Sequence, residues 1–153
     1  MVRSTIKFTG IIVASFTLIG CVTNSGNSAA TPPLPTGSWT LTTIESQPLP
    51  DPLPPGLRPI TLTIDSDGAV SGNAGINRYS GSIDTGAWEN REIVFGPLAV
   101  TRMAGPPAAM SIESAYLGLL DAVRAFEVDA DPAGGILTLS GAAGELIVYE
   151  RAE

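Results

Sequence analysis

Ile60-Thr-Leu-Thr-Ile64, Asp65-Ser-Asp-Gly68, Ala69-Val-Ser-Gly72 and Asn73-Ala-Gly-Ile-Asn-Arg-Tyr-Ser-Gly81 follow one another without a break. The first block alternates apolar and polar residues with a period of two, the pattern of a half-buried strand. Asp-Ser-Asp-Gly is a tight-turn signal, so Ala69 onward returns as the second arm of a hairpin. The stretch from Val70 to Gly81 is different. Its glycines at 72, 75 and 81 allow sharp turns or close backbone approach, and Asn73 and Asn77 suit side-chain bonding to turn backbone. Arg78 offers a fork of donors able to tie two loops together. The stretch therefore reads as a polar corner whose side chains are satisfied internally, with ligand binding as the less favoured reading.

Outward from this corner the chain repeats the same style. Ser38–Ile44 alternates Trp39, Leu41 and Thr43 against Thr40, Thr42 and Ile44, and Tyr79–Ile83 and Glu92–Phe95 are further short strands. Gln47–Pro59 carries six prolines and reads as a loop that cannot join a ladder. Pro97–Ala104 is an apolar run with β-branched residues. One helix is predicted at about 107–124, because Ile112, Tyr116, Leu119, Leu120 and Val123 recur on one face and Pro106-Pro107 stands just ahead. Phe126–Val128 opens another strand. Ile136–Ser140 and Glu145–Glu150 form a final hairpin. Short strands with one helix predict an α+β domain that is mostly β: a small antiparallel sheet or a partly open β-barrel with the helix packed on it.

The beginning of the chain is of another kind. Arg3 and Lys7 precede an apolar run from Phe8 to Ile19, and Leu18-Ile-Gly-Cys21 closes it. This is a secretory signal peptide, too short for a spanning helix. Its end resembles the lipobox of bacterial lipoproteins, which implies cleavage before Cys21 and acylation of that residue. Val22–Gly37, rich in Thr, Asn, Ser, Ala and Pro, reads as a tether. The expected organisation is signal peptide 1–20, lipidated cysteine and tether 21–37, and folded domain 38–153. Val22, rather than Asp, after the cysteine resembles outer-membrane sorting in a Gram-negative cell and implies the periplasmic face. A Gram-positive host would place the same anchor on the outer face of the plasma membrane.

Composition narrows the chemistry. Loss of Arg3 and Lys7 with the signal leaves six arginines against 15 acidic residues, a net charge of −9. The arginines are scattered in sequence, so no basic patch and no nucleic-acid partner is expected. The chain has no histidine, its one cysteine is assigned to the lipid, and the mature part has no lysine. Ser-His-Asp triads, Cys-His pairs, His or Cys zinc sites and Schiff-base lysines are excluded. Carboxylate catalysis alone stays open, and the spread of acidic residues argues against it. The expectation is a protein that is not an enzyme, with no metal and no cofactor. Asp65-x-Asp67-Gly68 resembles a calcium-loop fragment but lacks the other ligands, and a hairpin turn explains it. Trp39 and Trp88 read as core-filling side chains.

Ser71-Gly-Asn-Ala-Gly-Ile-Asn-Arg-Tyr-Ser-Gly81 is similar to the hallmark of the META domain family, which includes HslJ-like heat-shock proteins. Trp39-x-Leu41, Phe95-Gly-Pro-Leu-Ala-Val-Thr-Arg-Met-Ala104, the helix, and the closing strands at Leu137 and Tyr149 extend the resemblance over about 38–150 in family order. It implies a compact β-rich domain with one helix, often carried by envelope lipoproteins and tied to stress response, with no catalytic activity attached to the fold. The family commonly has cysteines where this chain has Ile76 and Gly105, so any redox role built on that pair is not carried over. The leading expectation is a non-enzymatic, envelope-anchored lipoprotein with a binding or envelope-support role. Its partners would be the membrane, through the lipid, and an envelope protein or apolar ligand. Asn73, Asn77 and Arg78 are the candidate corner residues, and Cys21 the lipidation site. The alternative is a lipocalin-like carrier of an apolar ligand or partner peptide, with a cavity lined by Trp39, Phe95 or Tyr116.

Overall fold

The computed structural model describes residues 34–84, 86, 88–129 and 135–152. Cys21, the signal peptide and residues 22–33 of the expected tether lie outside them. The strands are β1 (Gly37–Ile44), β2 (Gln47–Pro48), β3 (Thr61–Ile64), β4 (Ala69–Asn73), β5 (Arg78–Asp84), β6 (Val94–Phe95), β7 (Ala99–Val100), β8 (Val123–Asp129), β9 (Ile136–Gly141) and β10 (Leu146–Arg151). A 3-10 turn, Trp88–Asn90, precedes β6, and α1 (Pro107–Ala122) lies between β7 and β8.

All pairings are antiparallel, and the sheet runs β6-β5-β4-β3-β1-β10-β9-β8. Its two ends then meet. Ile93 N–H donates to Arg124 O at 3.1 Å and Phe126 N–H to Arg91 O at 2.9 Å, beside a bridge between Glu92 and Ala125. The sheet is thus nearly closed into a barrel, which removes most of its exposed edge. The period-two patterns decide what faces inward: Trp39, Leu62, Leu137, Leu139, Ile147 and Tyr149 are fully buried and fill the interior.

Strand direction gives the barrel two distinct ends. At one lie the start of β1, the Asp65–Gly68 turn, the end of β5 and the end of β10. At the other lie the β4–β5 turn, the end of β1 and the turn joining β9 to β10, and α1 crosses this end. Pro107 occupies the first helical turn, where its missing N–H costs nothing. The helix stops at Ala122, two residues earlier than its periodicity predicts, because Val123 already has extended backbone and begins β8 without a loop.

Four other expectations are corrected. Gln47–Pro48 does join the ladder, pairing with Thr43 and Ile44. Pro48 is tolerated there because the strand is a two-residue edge and the next amide, Leu49 N–H, makes the bond to Thr42 O at 2.9 Å. In 97–104 only Ala99–Val100 forms a strand, because its neighbours are held by side chains instead. Packing against the domain extends before Ser38: Pro35 is buried and its carbonyl accepts the Trp39 indole N–H at 3.0 Å. Finally, the buried stripe of α1 is Ala109, Glu113, Tyr116 and Leu120, with Ile112 and Leu119 only partly covered.

Candidate functional site

Among the described residues, Asn77 and Glu113 are the two buried polar side chains, and they bond to each other. The β4–β5 connection makes this possible. Asn73 Oδ1 accepts Gly75 N–H at 2.7 Å, and Ala74 N–H donates to Asn77 O at 2.7 Å, so the chain reverses within a few residues. Gly75 has φ +113°, and a Cβ there would run into Leu57. The backbone angle disfavours any residue with a side chain, and one placed there would also have to push the Leu57 side chain aside. The reversal aims two successive amides at the helix. Ile76 N–H and Asn77 N–H donate to Glu113 Oε2 at 3.0 and 2.6 Å, and Asn77 Nδ2 donates to Oε1 at 2.7 Å.

The other face of the Asn77 amide holds the segment after β7. Its Oδ1 accepts Met103 N–H at 2.7 Å and the Thr101 hydroxyl at 2.9 Å, while Nδ2 also reaches Met103 O at 3.1 Å. Asn77 therefore cannot be flipped without placing donors against donors. The cluster is a clamp that locks the β4–β5 turn, α1 and residues 101–103 into one unit. Charge-assisted bonds of this kind are among the stronger ones in a fold.

Of the residues singled out in the sequence, Asn73 and Asn77 act inside this clamp, and Cys21 lies outside the described residues. Arg78 is not the tie between loops. Its side chain is exposed and, among the described residues, makes no hydrogen bond, although its amide donates to Thr101 Oγ1 at 3.1 Å. Arg58 supplies that tie, its Nη2 donating to Ile76 O at 2.6 Å. Glu113 was missed by the sequence reading. The available signal was its spacing: it stands three residues before Tyr116 and seven before Leu120, a carboxylate on the inward stripe.

Ile76 and Gly105 do lie against each other. A Cβ at Gly105 would run into Ile76 Cδ1, so the isoleucine occupies the space beside residue 105 with hydrocarbon. Asp65 and Asp67 form the expected turn: Gly68 N–H donates to Asp65 O at 3.0 Å and Asp67 Oδ1 accepts Ala69 N–H at 3.0 Å. Among the described residues no group of three His, Cys, Asp or Glu is placed to hold a metal.

Below the clamp, all three tyrosines of the chain meet inside the barrel. Tyr149 Oη–H donates to Tyr116 Oη at 3.1 Å, Tyr116 and Tyr79 hydroxyls lie 2.7 Å apart, and Tyr79 Oη–H donates to Thr61 O at 2.8 Å. Tyr79 spends its one proton on Thr61, so Tyr116 donates to Tyr79, and the chain runs one way. Burial pushes all three phenols well above the usual tyrosine range, and the neighbouring phenols push Tyr79 and Tyr116 further. The phenols thus stay protonated in the folded protein while the unfolded chain ionises near pH ~10. The folded state then binds more protons, so its stability is intact below that pH and falls above it, by up to about 4 kcal/mol per pH unit for three groups. An alkaline titration followed by tyrosinate absorbance should show one cooperative step coincident with unfolding. Separate ionisations in a still-folded protein would contradict the arrangement.

Among the described residues, Trp39 and Tyr116 are fully buried among core side chains, and Phe95 lines a slot of about 180 Å³ with Leu98, Val100 and Leu117. Drug-sized ligands occupy about 300–1,000 Å³.

Residues 32–153, including this clamp and the barrel around it, match the META domain. The chain belongs to the META domain family. It is similar to a protein from Burkholderia xenovorans solved by NMR, at 27% identity and a TM-score of 0.62 over 99% of both chains. It also resembles a DUF4847 family protein from Bacteroides vulgatus, at 12% identity and a TM-score of 0.52 over 77% of this chain and 93% of that one. That second likeness concerns the fold alone. No curated protein matches the chain. In this META domain the hallmark segment 71–81 is the β4–β5 turn with its flanking strands, and its asparagine is half of the clamp.

Proposed function

We propose that this META-domain protein is a non-enzymatic envelope lipoprotein, anchored through Cys21 and acting as a rigid binding module. The single observation that carries the non-enzymatic reading is the use of Glu113. It is the one buried carboxylate among the described residues, and both its oxygens are taken by N–H donors of the fold. A catalytic carboxylate needs a face open to substrate. The anchor reading rests on Leu18-Ile-Gly-Cys21 and the apolar run before it. No helix among the described residues is long and apolar enough to cross a membrane.

Cys21→Ser is expected to release the mature chain from the membrane fraction, and mass spectrometry of the wild-type N-terminus should show an acylated Cys21. An unacylated mature terminus, or a serine variant that still fractionates with membranes, would sink the anchor reading. The outer membrane is the proposed location in a Gram-negative cell, with the domain on the periplasmic side.

A further inference from the structure

Three of the six mature arginines, spread over 45 positions in sequence, gather at the helix-capped end of the barrel. Arg58 N–H donates to Gly75 O at 2.9 Å and its guanidinium to Ile76 O. Arg78 follows Asn77, and Arg102 follows Thr101, whose amide donates to Arg78 O at 3.0 Å. All three are exposed. The guanidinia of Arg78 and Arg102 have no hydrogen-bond partner among the described residues. Beside them runs an open trough of about 410 Å³ lined by Arg78, Tyr79, Ser80, Ala99, Val100 and Thr101. Its walls do not drift, because the Asn77–Glu113 clamp holds both β5 and residues 101–103.

We propose that this trough and its arginine rim bind an anionic glycan, a wall polymer carrying carboxylates. The inference rests on the envelope reading above for where such a polymer is met. An open, shallow trough takes an extended chain. Ser80 and Ala99, exposed and paired across β5 and β7, leave a small surface beside Arg78 that suits a sugar ring, and guanidinium forks match carboxylates in planar pairs.

Two observations turn the choice away from other anions. The chain enters the barrel at Gly37, at the opposite end, which carries the exposed Asp65, Asp67, Asp84, Glu89 and Asp129 with Arg91 and Arg151. The arginine corner therefore lies at the end of the barrel far from the point where the N-terminal segment joins, which favours a partner away from an anchoring bilayer. The exposed large hydrophobic residues among those described are Val94, Met103 and Ile136, and only Met103 is at this corner. The corner thus lacks the apolar centre of a protein–protein interface.

The test uses the full mature chain as Cys21→Ser, so that acylation plays no part, mixed with purified peptidoglycan sacculi. The protein should sediment with sacculi at low salt and be released at about 1 M salt, where the screening length falls to about 3 Å. Amidation of the wall carboxylates should abolish sedimentation. Arg78→Glu with Arg102→Glu should weaken it roughly tenfold or more, while the cooperative alkaline tyrosine step is kept as proof of folding. Failure to sediment, an unchanged double variant, or capture by anionic phospholipid vesicles in place of sacculi would overturn the proposal. Binding to sacculi by a protein whose wild type is not acylated would leave this site standing and remove only the anchor reading.

Discussion

Replacing Glu113 by alanine should destabilise the domain by about 3–5 kcal/mol, a large share of the stability of an ordinary domain. The substitution leaves Ile76 N–H, Asn77 N–H and one Asn77 amide proton buried without an acceptor. Each orphaned donor keeps its desolvation cost, and the three losses come together because one turn carries all of them. Glu113→Gln is the sharper experiment. Both carboxylate oxygens accept, whereas glutamine offers one acceptor and one donor, and its NH₂ would face either the Asn77 NH₂ or two backbone amides. Rotating Asn77 to meet it would set NH₂ against Met103 N–H and the Thr101 hydroxyl proton. The isosteric variant should therefore lose most of what the alanine variant loses. For a domain of this size, thermal unfolding should fall by roughly 10–20 °C for either. The exposed Glu127→Gln should stay within about 0.5 kcal/mol of wild type. A Glu113→Gln protein as stable as wild type would show that the clamp is not a donor–acceptor match.

Gly72→Ala should be at least as damaging, at about 3 kcal/mol or more. Gly72 pairs directly with Tyr79 on β5 and with Leu62 on β3. The Tyr79 ring crosses the bare backbone of Gly72 to reach Thr61 O two strands away. A single methyl at Gly72 would run into Thr61 O and come within 2.6 Å of the Tyr79 hydroxyl. Neither obstacle is the free end of a flexible side chain: one is backbone, and the other is bonded at both sides, to Thr61 and to Tyr116. Denaturant unfolding of Gly72→Ala measures the loss, and insoluble expression would be its extreme form. Gly118, on the exposed side of α1 with open space around it, is the control at which alanine should stabilise by roughly 1 kcal/mol. If Gly72→Ala unfolds at the same denaturant concentration as wild type, the tyrosine chain does not need the bare strand.

The two experiments mark where sequence reading reached and where it stopped. The strands were legible because inward residues recur with a period of two and the turns carry Gly, Asp and Asn at the required places. The polar corner was legible for the same local reasons: Asn73 makes its bond two residues away, and glycine is favoured at 75 by backbone angle. Asn77 was visible as a turn residue, but its partners lie 24 to 36 positions away, on α1 and in the segment after β7. Arg78 and Arg58 exchanged roles because choosing which arginine reaches Ile76 O depends on how the proline-rich loop is laid over the β4–β5 turn. Local spacing does not carry that information.

The sequence by itself determined the family, the mostly β composition with one helix, the absence of histidine, the confinement of the one lysine to position 7, and the single cysteine. These are properties of residue identity and short-range periodicity. Only the tertiary structure decided that the sheet closes on itself, that a glutamate on the inner stripe of α1 answers the asparagine of the hallmark turn, and that all three tyrosines share one hydrogen-bond chain. It also brought together arginines that are scattered along the sequence. Each of these is a contact between residues far apart in the chain, and its free energy exists only once the barrel has brought them within bonding distance.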